Sequence, residues 1–312
     1  ENTSPLLKPK KRKLGKVLWD QKWLLVMSVP VLLYVFLFNY YPLWGWRYAF
    51  QNLDISTIKK GADWIGFGNF EWLFKEKYFW LGIRNTLAMS VINLVFGTLA
   101  SILLAILLNE VRNRAFKRTV QTVTYLPHFL SMVIVVGMAQ NMFVSDGPIN
   151  QMLLSAKLID QPIWWLGEGK YFWFLVGLIN IWKEVGWNSI IYISTMTSID
   201  PTLYEAAAID GAGRFQRILH VTLPGIKSTF VVLLIMNIGH LMEAGFELQY
   251  LLGNKQVYDF SQTLDVFVLE YGIQNNKYGR AIAAGMFKSV IGIILLFAAN
   301  FVAKKLDEDT LL

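Results

Sequence analysis

The chain has 312 residues, 54% of them hydrophobic and 16% charged, with a mean hydropathy of +0.40, a balance too apolar for an ordinary soluble domain. Its net charge of +7 comes from Lys and Arg gathered at the flanks of apolar blocks, without aromatic-basic interleaving in a polar segment, which excludes nucleic acid as a partner and points to anionic headgroups. Cysteine is absent, so disulfide and thiolate chemistry are excluded as well.

Residues 1–22 form a basic tail carrying Lys8, Lys10, Lys11, Arg12, Lys13 and Lys16. The apolar run that follows is longer than a signal-peptide core. NYYPLWGW comes after it rather than a small-residue cleavage site, so it reads as a retained first helix. Blocks long enough to cross the hydrocarbon layer fall at about 23–42, 85–109, 122–144, 171–195, 228–252 and 281–303. Polar turn residues separate them: Asp54 to Gly68, Asp146-Gly147-Pro148, Gly167 to Lys170 and Gly253-Asn254. The expected fold class is therefore all-α and polytopic, with one transmembrane domain over 23–303 and a short tail over 304–312.

The cations set the expected orientation. Arg112, Arg114, Lys117 and Arg118 crowd the second connection, and Lys304 and Lys305 follow the last span. With six spans these groups share one side with the N-terminal tail and the connection 196–227, and the positive-inside rule makes that side cytoplasmic. Trp44, Trp46, Trp64, Trp72, Trp80, Trp164 and Trp165 gather at the opposite loops, as interfacial aromatics do.

The connection 196–227 contains two short helices. Asp200-Pro201 is a helix start, Tyr204, Glu205 and three alanines at 206–208 favour continuation, and Gly211 and Gly213 suit a tight bend. Phe215, Ile218 and Leu219 then recur at helical spacing before Pro224-Gly225. Two readings of this unit stand: an interfacial amphipathic element, or a small-residue surface at Ala206–Ala208 and Gly211 against which another protein packs closely.

The segment EAAAIDGAGRFQRILHVTLP, 205–224, resembles the EAA loop of ATP-binding-cassette importer permeases, matching at Glu205, Ala206, Ala207, Asp210, Gly211, Leu223 and Pro224. WIGFGNFEWLF (64–74), Asn85-Thr86, WKEVGWNSIIY (182–192), GFELQYLL (245–252) and GMFKSVIGIILL (285–296) are similar to the polysaccharide-permease subgroup of the maltose and glycerol-phosphate importer family. The resemblance implies a type I importer permease fold in the bacterial inner membrane and a coupling loop in which Glu205, Ala206, Ala207, Asp210, Gly211 and Phe215 meet a cytoplasmic ATPase. It implies four kinds of partner: a second homologous permease, a dimer of ATPase subunits that bind ATP and Mg, an extracytoplasmic solute-binding protein, and an oligosaccharide as substrate.

Polar residues at membrane depth are the candidate substrate pathway. In the fifth span Asn237, His240, Glu243 and Glu247 share an arc of about 120°, and Gly239 and Gly245 nearby permit close helix approach or a local break. The four polar residues form either a cavity wall that binds sugar hydroxyls or polar glue to a neighbouring helix. The fourth span holds Lys183, Glu184 and Asn188 with Trp182 and Trp187, whose rings suit sugar stacking or packing. Lys183 and Glu184 project about 100° apart and are not expected to pair. Lys288 in the sixth span either snorkels outward or pairs with Glu243 or Glu247. If Lys183 and Lys288 line the path, an acidic saccharide follows.

His128 and His220 read as structural histidines, and no metal-ligand spacing is present. The chain has no G-x-x-x-x-G-K-[ST] sequence, so it is expected to be non-catalytic and to hold no cofactor itself. Hydrolase motifs are also absent. The alternative function is a proton-coupled secondary transporter using His240, Glu243 and Glu247 as a relay, which leaves the loop 196–227 without a role.

Overall fold

The computed structural model describes residues 19–306 and 309–311. The clustered cations of the expected N-terminal tail lie outside the described residues. The first helix, α1 (Lys22–Phe50), passes from α-helix through a π-turn into a 3-10 stretch. Next come α2 (Gly68–Lys75) and α3 (Lys77–Glu110), the latter widened by a π-turn at Asn93–Gly97. The Asn113 side chain caps α4 (Arg114–Tyr125), which ends in a 3-10 turn at Leu126–Phe129. Then follow α5 (Met132–Phe143), α6 (Pro148–Ser155), α7 (Gly169–Ser198) and α8 (Pro201–Ile209). The remainder is α9 (Arg214–Gly225), α10 (Lys227–Gly239), α11 (Glu247–Leu252), α12 (Tyr258–Ser261), α13 (Leu264–Leu269) and α14 (Tyr278–Lys305).

By length and apolarity, Lys22–Phe50, Lys77–Glu110, Met132–Ser155 and Tyr278–Lys305 are long enough to cross a membrane, and the α9–α10 pair, bent by 56°, makes a fifth. The helix α7 has 30 residues, ample length for a crossing, but its polar residues dilute its apolarity.

Two of the expected spans are not continuous helices. The block 122–144 is interrupted at Leu130 and Ser131, whose backbones are extended just after Pro127. Proline removes an N–H and crowds the preceding turn, which licenses the break. The block 228–252 stops at Gly239 and resumes at Glu247, with Gly245 at φ +90°, a left-handed conformation that L side chains rarely adopt. Hydropathy registers apolar side chains and is blind to such interruptions.

The long helix α3 is the common wall of the packing. Its Met89 shares a buried cluster with Val135 of α5, Val176 of α7 and Leu248 of α11. Phe79 packs against Phe267 of α13 in a second cluster that includes Leu73 of α2 and Ala284 of α14. Ala105 belongs to a third, with Tyr192 and Met196 of α7 and Ile226. Lipid is as apolar as these side chains, so their close fit, rather than escape from water, holds the helices together. The first helix is different: no residue of its most apolar stretch is buried against the other described residues.

Polar pins fix the segment 253–277 against α3. The fully buried Asn85 donates to the carbonyls of Asp259 at 3.0 Å and Gln262 at 2.8 Å, and Thr86 Oγ1 accepts from the Leu264 N–H at 3.0 Å. An Asn85→Leu variant leaves the Gln262 carbonyl without its donor, at a cost of about 1–3 kcal/mol, while the Asp259 carbonyl keeps the Arg84 guanidinium at 2.6 Å. It should melt several degrees below the wild type in detergent, as read by a thiol-independent thermal-shift assay.

Candidate functional site

A cavity of about 340 Å³ opens between α3, α7 and α10. Its α3 wall is a stripe at helical spacing: Ser90, Asn93, Leu94, Gly97, Thr98 and Ser101. The α7 wall carries Asn180, Glu184, Asn188 and Tyr192, again at intervals of four. Leu233 and Asn237 come from α10, and His240, Leu241 and Glu243 from the unwound segment after it. The His240 Nδ1 lies 2.8 Å from the Met236 carbonyl, which can only accept, so Nδ1 carries the proton and Nε2 remains an acceptor when the ring is neutral.

Of the expected pathway residues, Glu184, Asn188, Asn237, His240 and Glu243 meet at this cavity. They do not do so as one face of a continuous fifth helix, because the helix has already ended before His240. Glu247 opens α11 beyond the break and does not line the cavity. The expected shared arc is therefore corrected for the last three of its four members.

Lys183 and Glu184 do pair, contrary to the expectation from their angular separation. Lys183 is buried and its Nζ reaches Glu184 Oε1 at 3.1 Å and the His128 carbonyl at 2.7 Å. The other carboxylate oxygen of Glu184 lies 2.8 Å from His128 Nδ1. A long flexible side chain overrides the direction of its Cα–Cβ bond. Trp187 stacks face to face on His128 with centroids 4.3 Å apart, so its near face is occupied, and Trp182 also lies off the cavity. Lys288 pairs with Asp265 at 2.5 Å and approaches Glu243 at 3.9 Å without lining the cavity. Asp265 was not foreseen as its partner, and the condition on which an acidic saccharide was expected, both lysines on the path, is not met.

Ser90, Asn93, Thr98 and Ser101 were not singled out from the sequence. Their signal was present nonetheless: small polar residues at i, i+3, i+8 and i+11 in an otherwise apolar block.

At the other candidate site, Asp200 caps α8 by accepting from the Thr202 N–H at 2.9 Å, and this bond holds its carboxyl below the usual carboxylate range. The depressed value means the cap is present throughout neutral pH and is lost only in acid, as pH falls below the ordinary range. The helix closes with Ala212 N–H donating to the Ala207 carbonyl at 2.9 Å while Gly211 takes φ +80°. Gln216 Oε1 accepts from Gly213 N–H at 2.8 Å to start α9, and the hydroxyls of Tyr204 and Thr222 lie 3.0 Å apart, tying the two short helices together. Glu205, Ala206, Asp210 and Gly211 are exposed, and Ala207 is half-buried. Beside this small-residue platform Ile209 is 87% and Phe215 77% exposed, two large apolar side chains without cover in a loop rich in polar groups.

The model of the binding-protein-dependent transport system inner membrane component family matches residues 97–308. Protein LplB of Bacillus subtilis is 40% identical over 291 residues, covering 93% of this chain and 91% of that protein. The polygalacturonan/rhamnogalacturonan transport system permease protein YteP of the same organism is 41% identical over 303 residues, covering 97% and 94%. Among solved structures, a chain of a bacterial ABC transporter involved in the import of the acidic polysaccharide alginate superposes with a TM-score of 0.86 at 35% identity, covering 94% of this chain and 99% of that one.

The ion pair beside the cavity gives a direct check. Lys183→Met takes the ammonium from Glu184, which keeps its contact with His128 Nδ1, and leaves the His128 carbonyl without its donor, a loss of about 1–3 kcal/mol. Adding Glu184→Gln should recover part of the loss in a double-mutant cycle of melting temperatures, whereas additive effects would show that the two side chains do not interact.

Proposed function

The chain belongs to the family of binding-protein-dependent transport system inner membrane components, and on that premise we propose that it is the permease subunit of an ATP-driven importer of oligosaccharides. The observation that carries the mechanism is the capped, exposed platform of α8 and α9, with Ile209 and Phe215 uncovered beside small residues. A partner ATPase supplies the groove for it and binds ATP and Mg. ATP-driven closure of the ATPase dimer moves α8. Because Tyr204 and Thr222 link α8 to α9, and α9 leads into α10, that movement reaches Asn237 and His240 at the cavity. Alternating access of the cavity follows.

The membrane arrangement we propose has six spans, with α7 and the broken α4–α5 and α10–α11 units each counted once. Both termini and the loop 196–227 face the cytoplasm of a bacterial cell whose inner membrane holds the complex. A second permease completes the cavity, supported by the uncovered apolar surface of α1. An extracytoplasmic binding protein delivers the sugar; a solved relative was captured as an alginate transporter with its alginate pentasaccharide-bound periplasmic protein. The relatives named for polygalacturonan and alginate support a long saccharide as the substrate. A proton relay through His240, Glu243 and Glu247 has no such support, because Glu247 stands apart from the other two.

The test is purification of this chain from native membranes in mild detergent, followed by ATPase assays with binding protein and sugar. An ATPase and a second permease should co-purify, and sugar-loaded binding protein should stimulate hydrolysis. Gly211→Trp should insert and assemble normally yet reduce uptake at least tenfold. Wild-type uptake by that variant would remove the coupling role of the loop.

A further inference from the structure

Between the end of α10 and the start of α11 the chain runs along α14 and meets it at two points one helical turn apart. A Cβ placed on Gly292 would lie 2.9 Å from the Gly239 carbonyl, so backbone approaches backbone there. One turn back along α14, the Lys288 ammonium stands 3.9 Å from Glu243. The unwound segment therefore follows this face of α14 in the opposite direction. Its own backbone is held only locally: the N–H groups of His240, Leu241 and Glu243 donate to Asn237, Ile238 and His240, and the Ala244 carbonyl accepts from the Gln249 side chain at 2.6 Å. Met242 and Ala244 are buried, whereas the Glu243 side chain is 53% exposed.

Lys288 is claimed from a second side. Its Nζ lies 2.5 Å from Asp265 Oδ1. Asp265 is the fixed carboxylate of the two, because it stands in the first turn of α13, which Thr263 caps and which the bond from the Leu264 N–H to Thr86 Oγ1 pins to α3. Among the described residues no other cation pairs with Asp265 or Glu243. Two carboxylates thus share one ammonium at a place where the lysine and aspartate side chains are only 19% and 23% exposed. Asp265 has the short, charge-assisted bond, and Glu243 is left beyond hydrogen-bond distance.

We propose that Lys288 is the positioning residue of the unwound segment and that Asp265 sets how firmly it grips. By drawing the ammonium off Glu243, Asp265 leaves the stretch that carries His240 and Glu243 free to shift at the cavity wall. Without that competition the ammonium closes on Glu243 and clamps the segment to α14. On the importer reading, which this inference rests on and deepens, α10 follows directly from α9, so the grip of Lys288 governs how readily movement of the cytoplasmic platform reaches the cavity.

The chain has no cysteine, so one introduced thiol can be followed on it by mass. In the complete complex Leu241, half-buried at the cavity, is replaced by cysteine, and its rate of reaction with a water-soluble maleimide is measured without nucleotide and after trapping with ATP and vanadate. Without nucleotide, Asp265→Asn should slow labelling about threefold, the size expected of one partly exposed ion pair. Adding Glu243→Gln should restore the parent rate, a reversal that a general loss of packing does not give. Glu243→Gln alone changes an exposed side chain and should speed labelling, which keeps the test decisive if Asp265→Asn fails to assemble. Unchanged labelling in both single variants overturns the proposal, as does a slowing by Asp265→Asn that persists when Glu243→Gln is added. A parent complex whose labelling does not respond to ATP and vanadate overturns the importer reading instead, while the comparison without nucleotide still decides the role of Lys288.

Discussion

A polypeptide crossing hydrocarbon has no water to receive its backbone N–H and C=O groups, so wherever a helix is interrupted the protein must supply the missing partner. Two interruptions shape this molecule, and each has its own device. Between α4 and α5 the carbonyl of His128 is freed near Pro127, and the ammonium of Lys183 reaches across from α7 to take it at 2.7 Å. In the segment after α10 the side chain of Gln249 turns back to donate to the Ala244 carbonyl at 2.6 Å. The polar side chains needed for these repairs bring further groups with them. Glu184 balances Lys183, and His128 in turn meets Glu184 and stacks on Trp187. The polar wall of the cavity combines two continuous helices, α3 and α7, with the broken end of α10.

This arrangement explains why several charged residues that look like transport machinery are scaffold. Lys183 is a helix repair, and Lys288 holds Asp265 of α13 beside the unwound segment. Apart from Glu184, His240 and Glu243, the polar groups that line the cavity are amides and hydroxyls, which carry no net charge and whose hydrogen bonds are individually modest.

The sequence made the helical class, the approximate places of the long helices and the loop 196–227 legible, because each is written in local terms: blocks of apolar residues, an Asp-Pro start, glycines at a bend. The Asp200 cap and the turn at Gly211 stand where those residue types place them. The interruption at Leu130-Ser131 was not legible, since no loss of hydropathy marks it, whereas Gly239 and Gly245 had left a break in the fifth block open without deciding it. Once the fifth block was taken as one helix, the angular placement of Glu243 and Glu247 failed with it. The pairing of Lys183 with Glu184 escaped for another reason: a helical wheel gives the direction of Cβ, and the lysine ammonium sits several bonds beyond. The polar stripe of α3 was readable but quiet, because serine, threonine and asparagine attract less notice than charges do.

The uncovered first helix has a consequence for how such chains change partners. Between Lys22 and Val35 no residue of α1 is buried against the described residues, whereas the far end of the same helix is anchored on α14 at Ala49. Apolarity and length are all the rest of the subunit asks of that stretch, so any finer choice of side chain there answers to whatever lies alongside. Compatibility between subunits of related complexes would then be recorded in α1 more than in the cavity or the cytoplasmic platform. Grafting that one segment from a homologue could redirect which subunits assemble while leaving the cargo and the motor unchanged.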